Sequence, residues 1–158
     1  MIPQELEPAI SEEFPFIPMP EKESLKFHSH GCLECDYLAN DLDYVRCKEI
    51  NGEVIRLIHR EMFCLSAAGW CWALPHYLRF CLTPEAEYNR METEFLIYNL
   101  GPAEQFEEES KERFSLLSQR QISCLLLFLE HLEQSPHWSE YCPENIARAR
   151  KFIGALRA

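Results

Sequence analysis

Apolar residues recur at helical spacing along most of this chain. Leu6, Ile10 and Phe14 stand four apart and predict a short helix over residues 3–14. The next stretch, FPFIPMPEKE, carries three prolines in six residues and cannot be a helix interior. It reads as an extended arm whose Phe14, Phe16, Ile17 and Met19 can lie on a core. A helix should then begin near Gly31 or Cys32 and run to about Asp43, with Leu33, Tyr37, Leu38 and Leu42 as its stripe. Val54, Leu57, Ile58 and Met62 give a further helical period; a short strand near EVIRLI is the alternative, which the alternation of Val54, Arg56 and Ile58 fits poorly.

The second half carries clearer punctuation. Ser66 is a suitable N-cap for AAGWCWALPHYLRFCL, in which Trp70, Leu74, Tyr77, Leu78 and Cys81 share a face and Pro75 should interrupt or kink the helix. Thr83 followed by Pro84, Glu85 and Glu87 is a start signal for a helix lined by Tyr88, Met91, Phe95 and Tyr98. The tripeptide Leu100-Gly101-Pro102 should end it. Residues 103–113, with a single aromatic, read as a solvated acidic connector or a polar helix. Ser118 opens a strongly apolar helix through Ile122, Leu125, Leu126, Leu129 and Leu132, widened by Leu127 and Phe128, which belongs at the centre. Pro143 and Glu144 start a last helix that turns Ile146, Ala149, Ile153 and Leu156 inward. The expectation is an all-α fold: one compact bundle of about six or seven helices across residues 1–158, with an N-terminal helix and proline-rich arm over 1–27 and no internal repeat.

Length and composition suit that picture. The chain has 158 residues, of which 47% are hydrophobic, enough for one sizeable core. No apolar run reaches about 18 residues, which argues against a membrane span. The acidic start MIPQELEPAISEEF lacks the basic n-region and apolar centre of a secretory signal, so a cytoplasmic location is expected. Cys71, Cys81 and Cys124 sit in apolar runs, where free cysteine behaves as a small hydrophobe, so the eight cysteines read as reduced thiols.

The net charge of −11 argues against nucleic acid as a partner, because phosphates demand Lys and Arg. It suits a basic protein partner instead. Nine carboxylates between Glu85 and Glu112 face only Arg90 and Lys111 within that stretch. Glu85, Glu87, Glu92, Glu94, Glu107, Glu108 and Glu109 are the candidates for an attracting surface; a solvated face is the plainer reading. Trp70, Trp72, His76, Tyr77 and Phe80 cannot all face one core from one helix. Trp70, Trp72 and His76 with Arg79 are therefore candidate interface anchors, against the alternative that both sides of that helix are buried.

The octapeptide HSHGCLEC offers different chemistry. His28, His30, Cys32 and Cys35 are the residue types that bind zinc, and the two cysteines share a turn. The pattern lacks the distant second pair that makes zinc-finger spacings specific, and the alternative is an ordinary helix start. A Cys-x-x-Cys redox role has no βαβ surroundings to support it. A thiol-dependent enzyme would need a base and an orienting group beside one cysteine. No Gly-x-Ser-x-Gly, His-Glu-x-x-His or glycine-rich phosphate motif occurs.

Three segments in this order, HGCLECDYLANDL, LSAAGWCWALPHYLRFCL and RFSLLSQRQISCLLLFLEHL, resemble a family of small bacterial proteins built on a domain of unknown function. The resemblance rests on the Cys-x-x-Cys start, on Leu65, Ser66, Leu74, Pro75, Tyr77 and Leu78 at the centre, and on Leu117, Ser118, Gln121 and Phe128 in the tail. Ile10, Phe14, Pro18 and Pro20 match its leading segment. It spans residues 10 to about 133 and departs between Arg46 and Phe63, where a tryptophan is expected. It implies a fold and names no reaction. By size, acidity and lack of catalytic motifs such proteins resemble immunity proteins encoded beside bacterial toxins. The first expectation is thus a non-catalytic cytosolic protein that neutralises a basic toxin or effector domain, without cofactor. The second is a zinc-binding regulatory or adaptor protein, and the third a thiol-dependent enzyme.

Overall fold

A computed structural model describes residues 4–157, and among them ten α-helices and no strand form an all-α fold. Helix α1 is Leu6–Glu13; the expected start at residue 3 lies outside the described residues. The proline arm follows as extended chain, then α2 at Leu33–Tyr44 and α3 at Gly52–His59. The EVIRLI segment is helical: Val54, Ile55 and Ile58 are buried together, a face that a two-residue alternation would split. Helix α4 is Ala67–Cys81, α5 Pro84–Asn89, α6 Met91–Leu100, α7 Glu107–Arg113, α8 Gln119–Gln134, α9 Pro136–Tyr141 and α10 Pro143–Ala155.

The caps explain most of these boundaries. Ser66 accepts from the Gly69 N–H, Thr83 from the Ala86 N–H, and Asn51 from the Glu53 and Val54 N–H groups. Ser118 and Gln121 form a reciprocal capping box at the head of α8. Proline occupies the first turn of α5, α9 and α10, where its missing N–H costs no helical bond.

One boundary departs from expectation. The helix predicted from Pro84 onward is two helices, because Arg90 adopts a left-handed conformation at φ 68°. That turn sends Glu92 inward beside Arg56 and brings its carbonyl to the Tyr77 hydroxyl at 2.6 Å. The acidic connector is a helical turn at Glu104–Phe106 followed by α7, which rests on α4 through the buried Ser110 and Arg113.

One hydrophobic core runs through all the long helices. At its centre α4 buries Trp70, Trp72, Ala73, Leu74, Tyr77, Leu78 and Phe80, and it stays helical through Pro75. Helix α1 lies on α8, and α10 packs on α6 and α8. The arm is tied to the body by one antiparallel bridge, Lys26 with Leu65: the Phe27 N–H donates to the Cys64 carbonyl and the Ser66 N–H to the Leu25 carbonyl, each at 2.8 Å. That bridge sets the end of the arm against the turn preceding α4, and this meeting point positions the candidate site.

Candidate metal centre

The chain leaves the bridge at Phe27 and must turn before α2 can begin. Gly31, at φ 77°, makes that turn with a conformation that a side chain resists. The loop brings His28 back over the first turn of α2. Cys32 is the N-cap residue of α2 and Cys35 lies three residues on, so both thiols point along one face. His28 Nδ1 stands 3.5 Å from Cys35 Sγ. One donor atom each from His28, Cys32 and Cys35 lie within 4.8 Å of one another. The set runs inward from exposed His28 through half-buried Cys32 to fully buried Cys35.

A third thiol is buried nearby. Cys64, buried on the short helical turn Met62–Cys64, is not among the three clustered donors. Burial pushes the Cys64 thiol well above its ordinary value, and the neighbouring Cys35 and Cys32 add to that. At Cys32 the Cys35 backbone N–H favours the thiolate. The Cys35 side chain, desolvation and Glu34 outweigh it, and the pKa rises. Arg113 is buried beside Cys35 and Cys64, donates to the Phe63 carbonyl at 2.9 Å and lies 4.1 Å over the Phe27 ring. Burial lowers its pKa, against the opposing pull of Glu109. Lys26 is bound to Asp36 at 3.0 Å and Glu23 at 2.7 Å, which clamps the arm to α2 just outside the thiols. On the outer side His28 edges an open groove between Phe63, Tyr98, Phe106 and Arg113.

Of the four residues expected from HSHGCLEC, three converge. His30 is exposed and outside the group, because the turn at Gly31 carries its side chain away from Cys35. Cys64 follows Cys35 by 29 positions, and the Phe27 N–H bond to its carbonyl holds its backbone beside the arm.

The aromatic anchors expected on α4 lie elsewhere than expected. Trp70 and Trp72 are core residues, 1% and 2% exposed, so neither is available to a partner. Trp70 packs edge-on against Phe114 at 5.0 Å. The physical reason is that α4 is central and neighbours cover it on more than one side. His76 is half-buried and stacks on Phe16 at 4.6 Å, with its pKa lowered by burial and by Arg79. Arg79 is turned inward too, onto the arm.

The acidic candidates are dispersed. Glu92 is 1% exposed and held near Arg56, which removes it from any surface. Glu85 pairs with Arg56, Glu108 with Lys111, and Glu109 with Arg113, while Glu94 accepts from the Tyr98 hydroxyl. Glu87 is exposed and Glu107 half-buried. One outward apolar stripe is on α2, where Leu33, Tyr37 and Tyr44 are 64%, 64% and 77% exposed; Phe16, Tyr88, Phe106 and Tyr141 are exposed elsewhere.

The molecule is therefore an all-α protein with a His-Cys-Cys donor cluster at the junction of its N-terminal arm. Residues 42–142 match the family described as a family of unknown function, DUF6714, and the chain belongs to it. The matched span includes α3 to α9 and Cys64, while His28, Cys32 and Cys35 precede it. No curated protein and no solved structure matches the chain.

Proposed function

We propose that this chain is a non-catalytic zinc-binding protein of regulatory or adaptor type. The convergence of His28, Cys32 and Cys35 carries the proposal. Zinc favours thiolate and imidazole ligands in a tetrahedron, with bonds of about 2.3 Å to sulfur and about 2.0 Å to nitrogen. Such a tetrahedron has sulfur–nitrogen edges of about 3.5 Å, and the His28–Cys35 separation is 3.5 Å. A hard cation would call for oxygen ligands instead. The other thiols whose pKa is shifted support a non-catalytic role, because burial raises each of them. Cys81 is pushed to about 12, Cys124 to about 11, and Cys71 and Cys142 also rise. An activated nucleophile needs the opposite shift. Thiolate ligation requires reduced cysteines, which a cytoplasmic location maintains.

Metal analysis of protein purified without chelator tests the reading. One equivalent of zinc is expected, lost in Cys32→Ser and kept in His30→Ala. Metal-free protein that takes up no zinc on titration would overturn it.

The α2 stripe favours a second reading, in which the zinc-bearing end presents a protein-binding face. Leu33, Tyr37 and Tyr44 supply contact area of the kind that anchors interfaces. Glu34 and Asp41 on the same helix, within a chain of net charge −11, suit a basic partner such as the toxin of an immunity pair. Association with such a domain should weaken as salt rises and weaken further in Tyr37→Ala. Binding indifferent to both changes would remove this reading and leave the zinc site untouched.

A further inference from the structure

We infer that Cys32 and Cys35 form a redox-active dithiol, which peroxide closes to a disulfide with release of the metal. The inference adds regulation to the zinc site proposed above. The release rests on that reading; the pairing of the two sulfurs rests on their geometry alone.

Both cysteines are free thiols, and their sulfurs lie within 4.8 Å of each other. Leu33 and Glu34 between them are helical, and the Asp36 N–H donates to the Cys32 carbonyl at 3.1 Å, which closes the first turn of α2. Positions three apart in such a turn have Cα atoms about 5 Å apart. A disulfide spans Cα separations of about 4.4–6.8 Å. The bond can therefore form by rotation of the two side chains, with the backbone in place and no sheet beside it.

The two thiols differ in access, and the difference sets the order of events. Cys32 is half-buried at the N-cap, and its thiol donates to the Glu34 carboxylate at 3.6 Å on the solvent side. Cys35 is fully buried. Zinc ligation holds both sulfurs as thiolates, the form that oxidants attack. Peroxide meets Cys32 first. The Cys32 sulfur takes one peroxide oxygen as the O–O bond breaks, which gives a sulfenic acid and a hydroxide that leaves as water with one proton. The Cys35 thiolate then attacks the Cys32 sulfur. The S–S bond forms, the S–O bond breaks, and the second hydroxide leaves as water with a second proton. Two thiolates lose two electrons in all, and one peroxide becomes two waters.

Of the three clustered donors only His28 then remains, and a single imidazole does not hold the ion. The Phe27–Cys64 backbone bond is untouched, so the change is confined to the loop between that bond and α2.

Zinc-loaded wild-type protein treated with a small excess of hydrogen peroxide tests both halves. Intact mass spectrometry should show the loss of two hydrogens, and peptide mapping should join Cys32 to Cys35. A colorimetric chelator should register one equivalent of zinc. Dithiothreitol should restore the thiols and zinc uptake. Cys47→Ser, which removes an exposed thiol, should behave as the wild type. In Cys35→Ala the reaction should halt at a Cys32 sulfenic acid that dimedone traps. Mapping that joins Cys35 to Cys64, or that finds Cys32 and Cys35 still reduced once Cys47 is oxidised, would overturn the pairing. A Cys32–Cys35 bond formed with zinc retained would overturn the release. Metal-free protein that takes up no zinc yet forms the bond would remove the zinc reading and the release while upholding the dithiol. Protein that neither binds zinc nor forms the bond would remove both.

Discussion

The guanidinium of Arg79 donates to the carbonyl oxygen of Phe14 at 2.8 Å, across 65 residues of sequence. The same nitrogen donates to the Pro75 carbonyl at 2.8 Å, and the group lies 4.3 Å over the Phe16 ring. One α4 side chain thereby fastens the end of α1 and the first turn of the proline arm. Arg79→Met keeps the stem and loses these bonds. Hydrogen bonds from a charged donor are worth about 1.5–3 kcal/mol each when intact, so chemical denaturation should show a loss of that order. Amide exchange should quicken over residues 14–19 while α8 and α10 stay protected.

Two glycines should respond in opposite directions to alanine. A Cβ on Gly101 would meet the Ala149 backbone nitrogen at 2.6 Å and its Cα at 2.9 Å, so α6 and α10 touch there through backbone. Gly101→Ala should destabilise by about 1–3 kcal/mol, the usual cost of overpacking. Gly154 lies within α10 with nothing inside 4 Å of its Cβ position. Gly154→Ala should stabilise by about 0.5–1 kcal/mol through helix propensity. Paired urea titrations read both signs.

Acidification should weaken the fold through its histidines. His76 has a lowered pKa from burial and the nearby Arg79; His137 is lowered by burial and by Arg90, whose guanidinium donates to its Nδ1 at 3.0 Å. A histidine depressed in the folded state binds fewer protons than its unfolded counterpart, whose pKa is about 6.5. Stability therefore rises with pH across that window. It is complete above about pH 7 and declines as pH falls toward 5. Melting temperature against pH should show this fall, and His76→Gln should flatten part of it.

Partner binding and stability should separate by residue. Trp72→Ala removes a buried indole and should cost about 3–5 kcal/mol. Tyr37→Ala alters an exposed ring and should stay within about 0.5 kcal/mol. If the interface is on α2, only Tyr37→Ala reduces binding in protein that remains folded. Calorimetry with unfolding controls on both variants decides it.

What could be read beforehand was what depends on neighbours in sequence. Ser66, Thr83 and Ser118 act on N–H groups three residues away, so their caps stand out in the chain. The all-α class followed from such signals with the helical stripes. The break at Arg90 did not, since an arginine takes a left-handed conformation only when tertiary contacts, here around Glu92, impose it. The depth of Trp72 is what the reading with both sides of that helix buried expects. The donor cluster was legible in part: His28, Cys32 and Cys35 converge as their closeness in sequence suggests, while His30 stays exposed and apart.

The span shared with the family, residues 42–142, cannot be excised as a self-sufficient module. Leu6, Ile10 and Phe14 from one end and Ile146, Phe152 and Ile153 from the other complete the interior that the shared span begins. A fragment of residues 42–142 would leave that interior open to water. The His28–Cys35 loop lies in the segment such a fragment would lose, so the candidate metal centre would go with it.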